Sequence, residues 1–190
     1  MGDEEKKEKT VERNTMSTKT CCNLDSLWEL PHKMVNYHEA ESLKHMILHE
    51  FGHHDLLGQK QATFLVDNPD FNCIHGIAGF SHEDCNHHKN DMWSDPYSFS
   101  KDMQGAPFHN TIQQLNSIPH ESIIKKNNGK IDEKAYDELC ERLGMKNTSF
   151  IHWKMKHGNH GILLFEDAEK EKTGQQKTLL HNLVALLSLC

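Results

Sequence analysis

The sequence predicts a mainly α fold with at most a minor sheet, built as a compact helical domain around one long histidine-rich loop. Three observations predict it. Residues 32–57 contain no proline and are dominated by helix formers. Residues 132–143 form an amphipathic run closed by Gly144. Residues 178–190 carry Leu179, Leu183, Leu186 and Cys190 at helical spacing. At 190 residues the chain is long enough for one domain with one core.

Residues 1–22 are charged and then rich in Ser and Thr, without periodicity, and read as a flexible leader. Residues 23–190 read as a single metal-binding domain, opening on the apolar cluster Leu24, Leu27, Trp28 and Leu30, which Pro31 punctuates. Gly58 is a stop for the long helix, and a short apolar run over residues 62–66 ends at Asn68-Pro69. Residues 67–107 are rich in Asn, Asp, Gly, Ser and His and read as a long loop. A loop of that length needs something other than a core to hold it, and a metal ion would serve. Residues 111–115 look helical, Pro119 interrupts, and residues 161–165 suit a strand. Asn127-Asn128-Gly129-Lys130 has the look of a calcium loop but lacks its carboxylates, so a plain turn suffices.

Charge and composition exclude several function classes. Asp and Glu total 28 against 21 Lys and Arg, a net charge of -7, the wrong field for binding nucleic acid through its phosphates. No apolar run approaches the ~18 residues of a membrane span. Residues 1–9 are nearly all charge, which is no signal-peptide core, and Lys6 breaks the myristoylation pattern that Gly2 suggests. A soluble cytoplasmic protein is expected, with no nucleic-acid or membrane partner. In that compartment the six cysteines are read as thiols and metal ligands rather than disulfides.

The outlier is histidine, with 16 residues in clusters. His49-Glu50-Phe51-Gly52-His53 puts two imidazoles four residues apart on one helical face, with a carboxylate beside the first. The segment resembles the active-site HExxH helix of zincin metallopeptidases. The resemblance implies His49 and His53 as ligands and Glu50 as the base acting on a metal-bound water. His38, His45, His49 and His53 recur as one stripe on the same helix, and His54-Asp55 resembles the doublet of HD-domain enzymes. That second resemblance implies an all-helical phosphohydrolase or oxygenase with His53, His54 and Asp55 around the ion, and His32 or His38 and Asp91 as further candidates.

Cys73-x-His75 and His82-x-x-Cys85-x-His87-His88 form a third constellation, with donors of the kinds a tetrahedral zinc site takes. Cys73, His75, His82 and Cys85 are candidate ligands of one ion, and His75 or His82 a candidate third ligand to His49 and His53. His152, His157 and His160 read as surface or secondary residues rather than a site. The expectation is a metal-dependent hydrolase for a small-molecule or peptide substrate, with zinc as cofactor, or iron or manganese in a His/Asp-rich site. The alternatives are the HD-like enzyme and a non-catalytic histidine-rich metal-binding module.

Overall fold

The computed structural model describes residues 29–53, 60–87, 91–117, 120–126, 129–166 and 174–188. The leader, Leu24, Leu27 and Trp28, the Gly58 stop, His54, Asp55 and His88 lie outside the described residues. The elements are α1 (Leu30–Asn36), α2 (Leu43–His53), β1 (Gln61–Asn68), β2 (Cys73–Ser81), a 3-10 turn (Asp84–His87), α3 (Pro96–Met103), α4 (Pro107–Gln114), α5 (Glu133–Leu143), β3 (Thr148–Lys154), a second short 3-10 turn (Lys156–Gly158), β4 (His160–Glu166) and α6 (Gly174–Leu187).

Fold class is the first correction. The protein is α+β, with a four-stranded antiparallel sheet in the order β2-β1-β4-β3, and a sheet of that size rules out a mainly α class. Helices cover both faces of the sheet. Ala62, Phe64, Ala78, Phe80, Leu163 and Phe165 face α1, α2, α3 and α6, while Leu65, Ile74, Ile162 and Leu164 face α4 and α5. A strand buried on both faces loses the alternation that marks a half-exposed one. β4 is such a strand, buried from His160 to Phe165, and its central 161–165 run was legible as a strand for its apolar continuity.

The second correction is the loop. Residues 73–81 of the expected loop are strand β2, joined to β1 as a hairpin. Gly76 and Gly79 made this stretch look like a loop, but they are there because α4 lies against the strand. A Cβ on Gly76 would sit 2.0 Å from the Ile112 carbonyl oxygen, and one on Gly79 would sit 2.7 Å from Ile112 Cγ1. Glycine inside a strand often marks such close approach. The register shifts between Phe64 and Leu65, so that Ile77 bulges out of the ladder. Its carbonyl accepts from His45 Nε2 on α2 (2.9 Å) and Gln113 Nε2 on α4 (3.0 Å). Next to it, the Asn116 side-chain amide pairs with both the N–H (3.0 Å) and the carbonyl (2.9 Å) of Gly76. One side chain thus takes the place of a neighbouring strand and blocks an edge open to association.

The predicted helix over 32–57 is two helices. Turns at 37–42 end α1, and turn bonds Ala40 N–H to Tyr37 O (2.9 Å) and Leu43 N–H to Ala40 O (3.0 Å) lead into α2. His38 therefore leaves the histidine stripe, its exposed ring held against the Val35 carbonyl (2.9 Å). α5 matches its expectation. Asp132 caps it by accepting from the Lys134 and Ala135 N–H groups (3.1 and 3.4 Å), and Gly144 at φ 68 ends it in the left-handed region. α6 buries Leu183 of the expected stripe together with Leu180, Val184 and Leu187, with Leu186 partly buried against the same core, while Cys190 lies outside the described residues. Among the described residues no helix is long and apolar enough to cross a membrane.

Candidate functional site

The chemistry-bearing side chains gather where α2, the β2 bulge, the first 3-10 turn and α4 meet. His45 and His49 lie four residues apart on α2, one turn of the same face. The turn after β2 contributes Asp84 and Cys85, and the first turn of α4 contributes His109.

His49 is 1% exposed, with the rings of Phe80 and Phe99 each edge-on to its own at 5.1 Å. Its Nδ1 lies 3.9 Å from Cys85 Sγ. Burial first, and the Asp84 carboxylate second, push the Cys85 thiol up to about 11. The sulfur therefore stays protonated at neutral pH, which disfavours a nucleophilic role for it unaided.

His45 donates from Nε2 to the Ile77 carbonyl, which can only accept, so its proton sits on Nε2 and Nδ1 carries the lone pair. Burial, then the neighbouring His109 ring, bring its pKa down to about 4. His109 stands edge-on to it with ring centres 4.4 Å apart. The His109 backbone N–H donates to Asp84 Oδ2 (3.3 Å), and its buried Nδ1 has no hydrogen-bond partner among the described residues. Burial also lowers the His109 pKa, against an opposing pull from Asp84.

These shifts give a signed pH prediction. The folded pKa of His45 lies below its unfolded value of 6.5, so the unfolded chain binds the proton more readily. The neutral ring's contribution is intact above pH 6.5 and is lost as pH falls towards about 4, a cost of about 3 kcal/mol at the low end. Urea unfolding at pH 7.5 and pH 4.5 should show this loss, and His45→Gln should flatten much of the difference.

Glu50 occupies a different setting from the one its motif suggests. Its Oε1 meets Lys33 Nζ (3.2 Å) and its Oε2 accepts from Trp93 Nε1 (2.8 Å), with Lys33 Nζ 5.3 Å from the centre of the Trp93 ring. The carboxylate thus ties α1 to the turn at residues 91–94. His53 ends α2 one turn after His49, and its backbone lies on the same helical face.

The Cys/His set divides in two. Cys73 Sγ and His75 Nε2 are 3.6 Å apart at the start of β2, while His82 and Cys85 lie beyond its end. Six residues of strand, 76–81, lie between His75 and His82, a span of roughly 20 Å. Cys73, His75, His82 and Cys85 therefore do not come together around one ion. His82 is exposed, its ring 5.1 Å from that of Phe80. Asp91 caps its own turn by accepting from the Trp93 N–H (3.2 Å). His157 is an exposed turn residue at φ 59. The His160 ring, 6.2 Å from that of His152, is buried beside Asp67 rather than on the surface. Among the described residues, no three His, Cys, Asp or Glu side chains converge to hold an ion.

Sequence reasoning missed His109, Asp84, Lys33 and Trp93. Asp84 adjoins a candidate ligand, which was a weak signal. His109 offered none, because its partners stand 25 and 64 residues back along the chain. Comparison with protein-family models, with curated proteins and with solved structures finds no match to this chain.

Proposed function

We propose that the protein binds a transition-metal ion, zinc first, at the corner of α2 and the 3-10 turn, with His49 and Cys85 as two of its ligands. The observation that carries this reading is the 3.9 Å between His49 Nδ1 and Cys85 Sγ. Two donors on a tetrahedral zinc, with Zn–N near 2.0–2.1 Å and Zn–S near 2.3 Å, stand about 3.6 Å apart. A shift of a few tenths of an ångström fits the pair to an ion, which would displace the thiol proton that burial otherwise retains. The position of His53 on α2 makes it the candidate third ligand, and water or substrate would complete the shell.

Metal binding without catalysis is the favoured form, because both Glu50 oxygens already have partners in Lys33 and Trp93. Hydrolysis of a small-molecule or peptide substrate is the second reading, favoured by α2 being helical through the whole of His49 to His53. Cys73, Cys85 and Cys140 are free thiols, which suits a reducing compartment, and the cytoplasm is the proposed location.

Metal analysis of the purified full chain tests the proposal. Wild type should carry about one zinc per chain, and Cys85→Ser should lose most of it while staying folded, since the half-buried thiol is a small excision. A wild-type chain free of metal after zinc-supplemented expression would overturn it. Glu50→Gln separates the two forms. The amide oxygen still accepts from Trp93 while the ion pair with Lys33 is lost, so stability should fall by about 1 kcal/mol with zinc retained. Loss of a hydrolytic activity in that variant, with metal and fold intact, would establish the enzymatic form.

A further inference from the structure

A second site lies on the opposite side of the sheet from α2. A cavity of about 380 Å³ opens between α5 and the strap at residues 120–124. Its lining is His120 and Glu121 from the strap, and Ala135, Glu138, Leu139 and Arg142 from α5. The four helix residues are spaced i, i+3, i+4 and i+7, one face of α5 aimed at the strap.

The strap is fixed. The buried Asp67 carboxylate accepts from Ser122 Oγ (2.5 Å), the Ile123 N–H (2.7 Å) and the Ile124 N–H (3.3 Å), and the His120 carbonyl accepts from the Ile74 N–H (3.2 Å). The cavity therefore stands between two rigid walls, within the ~300–1,000 Å³ range of small-molecule sites. Its polar groups are incompletely used. Arg142 has no carboxylate partner among the described residues, and neither does Glu121 have a cation, whereas Glu138 is paired with Lys134 (3.3 Å). His120 Nε2 is buried in the wall without a hydrogen-bond partner, and burial and Arg142 both lower the ring's proton affinity.

Among the described residues the lining carries one guanidinium, Arg142, and two carboxylates, Glu121 and Glu138, of which Glu138 is paired with Lys134, beside the apolar Ala135 and Leu139. A lone anion would meet Glu121, and a lone cation would meet Arg142. A molecule carrying both charges and an apolar side chain answers each group, because guanidinium takes a carboxylate bidentately and Glu121 takes an ammonium. We infer that this cavity binds a small zwitterion of the α-amino-acid class. This is independent of the metal proposal, which involves the other face of the sheet.

Titration of the full chain with L-leucine, followed by amide chemical shifts, tests it against two analogues: 4-methylpentanoate, which lacks the ammonium, and 3-methylbutylamine, which lacks the carboxylate. L-leucine should perturb residues 120–124 and α5 and bind at least about tenfold tighter than either analogue. Arg142→Gln and Glu121→Gln, both at exposed positions, should each weaken it about tenfold or more without moving the melting temperature. No binding by L-leucine up to about 10 mM overturns the inference, since that is weaker than a filled charge-paired site of this size allows. Equal binding of 4-methylpentanoate, or wild-type affinity in Arg142→Gln, overturns it as well.

Discussion

Gly76→Ala is expected to destabilise the protein by about 3 kcal/mol or more, the upper range for overpacking. The added methyl would stand 2.0 Å from the Ile112 carbonyl oxygen and 2.8 Å from Ile112 Cγ2. The first of these is backbone, so no side-chain rotation relieves the contact. α4 would have to lift from β2, breaking the paired bonds from Asn116 to Gly76 and stretching those that Gln113 and His45 make at the Ile77 bulge. The same movement would carry His109 away from His45 and Asp84. Thermal unfolding should show a fall of about 10 °C. Exposure of the β2 edge should also promote association, visible in light scattering. A melting temperature within a degree of wild type would show that α4 does not lie where this register puts it.

Asp67→Ala is expected to cost about 3–5 kcal/mol, and Asp67→Asn only about 1 kcal/mol. Alanine leaves the Ile123 N–H buried without an acceptor and the Ile124 N–H with only Ser122 Oγ (3.2 Å). Asparagine keeps one oxygen for them, and its amide can donate to Ser122 Oγ, whose own proton then goes to the Ile124 carbonyl at 2.9 Å. Burial raises the Asp67 pKa against the pull of these bonds, so the neutral amide forfeits little charge stabilisation. Equal losses in the two variants, measured by urea unfolding, would contradict this bonding pattern.

Much of the helical content was legible, and the reason is local. α5 announces itself through the Asp132 cap, the spacing of its apolar residues and Gly144, all within its own span. The sheet was hidden for two physical reasons. β2 carries glycines demanded by a helix that comes some thirty residues later, so its composition mimics a loop. β3 has exposed and half-buried residues along its length and, among the described residues, pairs with β4 alone, which gives it weak apolar patterning.

The site was legible in parts. His49 and Cys85 stood out as residue types, yet their contact joins two separate constellations and is made by the fold of the β1–β2 hairpin. Glu50 was read from a motif five residues long, whereas Lys33 and Trp93 reach it from 17 residues before and 43 after. Cys73 and His75 were grouped with His82 and Cys85 because a loop permits any four to meet; a strand does not.

X-ray absorption at the zinc edge of the purified full chain reads the ligands of the proposed His49–Cys85 site. One sulfur at about 2.3 Å is expected with nitrogen or oxygen donors at about 2.0–2.1 Å, and loss of the sulfur shell in Cys85→Ser. A shell of nitrogen and oxygen alone in the wild-type protein would contradict it.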